Sequence, residues 1–188
     1  MIDCAFVCKW SALYPTRYDE QYYFPNLLNA RQGDANALRA ITEWKNTGYR
    51  GQPVPFSRHT HKEAAFRRFL DGLSQYLRQD GKTRLREDFR RNAPVWSTFW
   101  HHVLYATPIF DVYTHMAWHW DVTGVVLPKK EAKIYAPGHW PTYDRYTVWF
   151  QAVLQRLQQC DPQITERLLD RAMVSWGEKQ ATAKSESD

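Results

Sequence analysis

The sequence predicts an all-α protein of about seven helices, and three observations carry that prediction. Apolar residues recur at three- and four-residue steps, most clearly in Phe66, Phe69, Leu70, Leu73 and Leu77. Acids, threonines and prolines stand ahead of such stretches and glycines behind them, the chemistry of helix starts and stops. Strand alternation is missing apart from a short run at 124–127, and no internal repeat is present.

The elements follow in order. Residues 1–33 are aromatic and irregular, with Tyr22-Tyr23-Phe24-Pro25, and read as a covering segment. Asp34 caps a helix from Ala35 to about Asn46, with Leu38, Ile41 and Trp44 or Lys45 in step. Thr60-His61-Lys62-Glu63 has the spacing of a capping box ahead of the Phe66 stripe, and Gly81 stops that helix. Thr83 starts a short basic helix, and Pro94 opens another carrying Phe99, Trp100, Val103 and Leu104. Pro108 ends it. Asp111 opens the next helix, which closes near Asp121 and Gly124. After a loop at 124–141, Thr142 caps a helix with Tyr146, Phe150, Val153, Leu154 and Leu157. Asp161-Pro162 starts the last one, with Ile164, Leu168 and Ala172, ending at Gly177. The expected organisation is one compact domain over 1–177 and a disordered polar tail at 178–188.

Composition narrows the class. At 188 residues the chain buries a core without disulfides. Cys4, Cys8 and Cys160 are odd in number and lack metal-ligand spacing, so they read as reduced thiols in a cytoplasmic protein. The start is too short and polar for a signal peptide, and no run of about eighteen apolar residues exists, so no membrane partner is expected. A net charge of +5 permits contact with a polyanion. Nine tryptophans and eleven tyrosines supply the core, with a few left to stack on bases.

The most informative stretch runs from Pro108 to Ala117, where the lone carboxylate of Asp111 follows an apolar turn and opens an aromatic helix. At that position the exposed N–H groups and the helix dipole favour negative charge. Such an acid either caps the helix alone or also stabilises positive charge developing on a substrate.

Several short elements recur in one order: Trp44-Lys45-Asn46, Phe99-Trp100, Pro108-Ile109-Phe110-Asp111, Trp149-Phe150 and Leu169-Asp170-Arg171-Ala172. Across roughly 38–177 this resembles the short bacterial proteins with the 8-oxoguanine DNA glycosylase fold, in the helix-hairpin-helix glycosylase superfamily. The resemblance implies a catalytic aspartate just after an apolar turn, which only Asp111 fits, and a base flipped out of double-stranded DNA. It implies Lys45, within the shared Trp-Lys-Asn element, as the lysine to consider for catalysis. The superfamily's lyase lysine sits in a glycine hairpin that this chain lacks between Arg50 and Pro108. Val112 and Tyr113 stand where the short proteins often carry polar residues. Trp44, Tyr113, His115 and Trp118 are the expected contacts to the extruded base. Lys82, Arg84, Arg86, Arg90 and Arg91 are the expected contacts to phosphates. The implied protein is a monomer that needs no cofactor or metal and acts on damaged bases or on hypermodified phage DNA.

Two other classes fit parts of the sequence. His115 and His119, four apart, with His101 and neighbouring His102 on the preceding helix, suggest a metal-dependent hydrolase completed by Asp111 or Asp121. The basic segment alone suggests a helical DNA-binding module without catalysis. No Gly-x-Ser-x-Gly elbow and no phosphate-cradling glycine loop is present.

Overall fold

A computed structural model describes residues 1–17, 19–46, 53–134 and 138–185, the side chains of 184 and 185 apart. Among the described residues there are nine α-helices and no strand, so the all-α expectation holds and the count of about seven falls short. The helices are α1 Cys4–Ser11, α2 Phe24–Arg31, α3 Ala35–Asn46, α4 Thr60–Tyr76, α5 Gly81–Asp88, α6 Pro94–Tyr105, α7 Val112–Thr123, α8 His139–Cys160 and α9 Glu166–Ser185. No helix among the described residues is long and apolar enough to cross a membrane.

Both extra helices lie in the segment expected to be irregular. Asp3 caps α1 by accepting from the Phe6 N–H at 2.7 Å, and a π-helical turn at Asp19–Tyr23 runs directly into α2. Pro25 stands in the first turn of α2, where its missing N–H costs no helical bond. A proline that reads as a break in an aromatic run is therefore part of a helix start.

Contacts gather into two compact units, one of Met1–Tyr14 with Pro108–Asp188 and one of Pro15–Thr107. The second holds α2 to α6. Its core is built on Trp100, which stacks on Phe69 at 4.4 Å between ring centroids and takes Phe89 edge-on at 5.3 Å. Phe66 and Phe69 are buried as the α4 stripe predicts, but the stripe ends on buried Tyr76 while Leu77 is exposed. Asp34 caps α3 as expected, accepting from the Ala37 N–H at 2.7 Å.

The predicted capping box at Thr60 does not form. His59 occupies the cap position, and the Glu63 carboxylate turns to Arg39 of α3, which donates to it twice at 3.0 and 3.1 Å. A bidentate guanidinium outcompetes one backbone N–H. Those bonds hold the Glu63 carboxyl below the usual glutamate range.

His101 of α6 is only 2 % exposed, and its Nδ1 lies 2.9 Å from the Thr107 hydroxyl. Burial, with smaller contributions from Arg86, Lys82 and His102, lowers its pKa to about 3. Its unfolded value is about 6.5. Between those values the unfolded chain takes up a proton that the folded chain refuses. The stability tied to His101 is therefore complete above about pH 6.5 and falls as pH drops toward about 3. In urea titrations across this window, His101→Asn, whose amide can still reach Thr107, should lose less stability with falling pH than the parent.

The first unit holds α1, α7, α8 and α9, and α9 packs on both α1 and α7. Trp120 of α7 stacks on Trp176 of α9 at 4.7 Å and on Phe6 of α1 at 5.7 Å, which joins three helices through one ring. α8 begins after Gly138, whose φ of 101° favours glycine, so Thr142 lies inside the helix and not at its cap. Asp161 caps only a turn, with its carboxylate 3.0 Å from the Gln163 N–H. α9 starts later, where the Thr165 hydroxyl accepts from Leu168 N–H.

Gly177 is not a stop, and α9 runs through it to Ser185, across the start of the expected disordered tail. A Cβ at Gly177 would lie 2.6 Å from the Tyr113 carbonyl oxygen and 2.9 Å from its Cα. This glycine lets α9 pass against the first turn of α7. Helix propensity alone makes Gly177→Ala stabilising by about 1 kcal/mol; the backbone contact should reverse the sign, to a loss of about 1–3 kcal/mol in denaturant unfolding.

Candidate functional site around Asp111

The chain reaches Asp111 through a constrained segment. α6 ends on Ala106 in the left-handed region, with φ of 52°, and Pro108 then forces an extended entry. Two tyrosines of α8 hold the next stretch. Tyr143 donates its hydroxyl to the Pro108 carbonyl and Tyr146 to the Ile109 carbonyl, both at 2.9 Å and both buried. Spaced i, i+3, they lie on one face of α8 and bind successive carbonyls of the segment ahead of Asp111. Between them Phe110 is fully buried, stacked on Tyr146 at 4.5 Å and in contact with His115, Trp118 and Tyr143.

Asp111 follows with an extended backbone, φ −142° and ψ −175°, and caps α7. One carboxylate oxygen accepts from the Tyr113 N–H at 2.9 Å and the Thr114 N–H at 3.1 Å. The Thr114 hydroxyl accepts from the Asp111 N–H at 2.9 Å, which completes a capping box. Asp111 is 7 % exposed. A cap needs no such burial, since Asp, Asn and Ser cap equally well in water, and desolvating a carboxylate costs free energy that must be offset locally. Behind the cap, Tyr146 is pushed well above the usual tyrosine range, by burial first, then by the negative charge of Asp170 and, more weakly, of Asp111.

Asp170 was legible only as part of Leu-Asp-Arg-Ala. It is buried on α9 and pairs with Arg167 one turn earlier. Arg167 also donates to the Tyr14 hydroxyl at 2.9 Å, with its guanidinium 5.1 Å from the Tyr14 ring centroid. An acid amid buried Leu169, Ala172 and Met173, with an arginine at i−3, is the sequence signal that identifies it.

The expected base contacts part company. His115 and Trp118 line one groove of about 370 Å³ on the first unit, together with His119, Thr142 and Arg145. Tyr113 is covered by Lys129, whose ammonium donates to its hydroxyl at 3.0 Å and lies 5.0 Å from its ring. Trp44, 1 % exposed, is a core ring of the second unit packed on Tyr23 and Phe99. Lys45 belongs to that same unit, its ammonium 5.9 Å from the Phe99 ring.

Among the basic residues, Lys82 lies over the Tyr105 ring at 5.4 Å and Arg84 pairs with Asp88 at 3.3 Å. Arg86 is half-buried, and its charge contributes to the lowered His101 pKa. Arg90 and Arg91 are exposed in the turn between α5 and α6. That turn closes on Ala93, in the left-handed region with φ of 46°. Beside it lies a groove of about 410 Å³ whose lining includes His61, Lys62, Arg68, Asn92 and Trp96.

No group of three His, Cys, Asp or Glu among the described residues is placed to hold a metal ion. His101 belongs to the second unit and His115 and His119 to the first. The described cysteines are free thiols, as expected.

Comparison with known protein families, with curated proteins and with solved structures finds no match for this chain.

The Tyr146 hydroxyl tests the scaffold. Tyr146→Phe leaves the buried Ile109 carbonyl without that donor and should cost about 1–3 kcal/mol of stability in denaturant unfolding. A change near zero would mean that the turn ahead of Asp111 is set by packing alone.

Proposed function

We propose that this chain is a DNA glycosylase that hydrolyses the N-glycosidic bond of a flipped-out modified base, with Asp111 as its catalytic carboxylate. The observation that carries the reading is the buried placement of Asp111 at a helix start, directly after a rigid apolar turn. Breaking an N-glycosidic bond builds oxocarbenium-like charge on the sugar. A fixed, largely desolvated carboxylate stabilises such charge without reorganising, as carboxylates do in O-glycoside hydrolysis. In this mechanism Asp111 also orients the attacking water, and the ordered cap keeps the carboxylate in one direction through the reaction.

Further support comes from the second unit, where α5, a short turn bearing Arg90 and Arg91, and α6 precede the Asp111 segment in sequence. Exposed cations in a turn beside a groove lined by Lys62 and Arg68 suit contact with a phosphate backbone. The resemblance to helix-hairpin-helix glycosylases agrees with this order, although Ala93 stands in a left-handed turn without the superfamily's glycines. Lys45 carries only the weight of a shared motif. The substrate in this reading is double-stranded DNA bearing either a damaged base or the hypermodified base of an invading phage.

Asp111→Asn separates cap from charge, because asparagine caps a helix about as well as aspartate. The variant should unfold within about 1 kcal/mol of the parent and bind DNA normally, yet release no base. The measurement is abasic-site formation on duplexes carrying a panel of altered bases. Parent-like release by Asp111→Asn removes the mechanism. DNA association without abasic product from any duplex favours the non-catalytic module instead.

A further inference from the structure

The groove on α7 has a property that the glycosylase reading does not use. His115 and His119 stand one helical turn apart, on the same face, and both line it. Each ring is fixed by a backbone carbonyl of the segment that follows α7: His115 Nδ1 lies 2.8 Å from the Ala132 oxygen and His119 Nδ1 2.9 Å from the Val125 oxygen. The His119 Nδ1 is also 3.2 Å from the Thr123 hydroxyl, which itself donates to the His119 carbonyl at 2.8 Å. A carbonyl only accepts, so both Nδ1 atoms carry the proton. In the neutral rings both Nε2 atoms therefore present lone pairs.

Two neutral imidazoles at i and i+4, each oriented through Nδ1–H to a carbonyl, match the donor set and outer support of histidine metal ligands. We infer that His115 and His119 form a two-histidine clip for a divalent transition-metal ion of the zinc class in this groove. No third His, Cys, Asp or Glu among the described residues joins them, so water or a small anion completes the coordination. Arg145 and Thr142, across the same groove on α8, suit an anionic co-ligand. Because the carbonyls that orient the two rings belong to 125–132, an ion held here ties that segment to α7.

Calorimetric titration of the full chain with zinc chloride at neutral pH tests the clip without reference to catalysis. The expected result is one ion per chain, with affinity reduced about tenfold or more in His119→Ala. His61→Ala should bind like the parent and serves as control for the His59–His61 pair, whose ring centroids are 6.4 Å apart. Should His115→Ala not fold for want of its Ala132 bond, nitrogen resonances of the parent report instead, with the Nε2 signals of His115 and His119 moving on zinc addition. No zinc uptake by the parent, equal affinity in His119→Ala, or loss in His61→Ala instead would overturn the clip. Zinc uptake and abasic-site formation are separate readouts, so failure of the clip is distinguishable from failure of the glycosylase reading.

Discussion

Two hydroxyl groups hold the segment on which the site depends. The stretch Pro108 to Phe110 forms no helix or strand, and the carbonyls of Pro108 and Ile109 are buried, where an unmet hydrogen bond is costly. Tyr143 and Tyr146 meet that need from one face of α8. Because the two donors address successive carbonyls, they set both the path and the rotation of the segment, and with them the direction in which α7 leaves. The Asp111–Thr114 capping box then fixes the first turn. Gly177 closes the arrangement from the other side by letting α9 approach the Tyr113 backbone. Two side chains of α8 and the close approach of α9 at Gly177 thus frame the carboxylate that caps α7.

Two helix starts were legible from one local residue, whereas the equally local cap of Asp3 lies in a segment that read as irregular. Asp34 and Asp111 cap as their positions imply, and the α8 stripe of Tyr146, Phe150, Val153, Leu154 and Leu157 is buried throughout. Long-range competition explains the failures. Glu63 has the spacing for a capping box, but Arg39, twenty-four residues earlier, offers two charged donors. Gly177 has the composition of a stop, yet its role comes from Tyr113, sixty-four positions away in sequence. No periodicity within one helix records either partner.

The site shows the same division. The cap at Asp111 could be read from its neighbours, whereas its burial depends on Phe110, Tyr143 and Tyr146 packing together. Trp44, expected as a stacking platform, is a buried ring of the second unit, and a lone aromatic carries no mark of its exposure in sequence. Lys82, Arg84 and Arg86 form a charge run in sequence. In space, however, exposed Lys82 lies over a ring, exposed Arg84 joins an ion pair and Arg86 is half-buried, while Arg90 and Arg91 are exposed in the turn that follows.

Capping and catalysis make compatible demands on one carboxylate. A cap orients the group and supplies N–H donors, but it works as well in open water, so capping by itself does not account for burial. Stabilising a developing cation requires a low-dielectric setting, because the same Coulomb attraction is several times stronger there than in water. Asp111 has both the donors and the burial. The donors offset part of the cost of removing the charge from solvent, and the buried tyrosine bonds keep the surrounding turn from relaxing toward it. A residue that only capped α7 would gain from greater exposure, since hydration would stabilise the carboxylate without loss of either N–H bond. The burial of Asp111 therefore carries a solvation penalty beyond what capping requires, and the glycosylase reaction proposed above would put that desolvated charge to use.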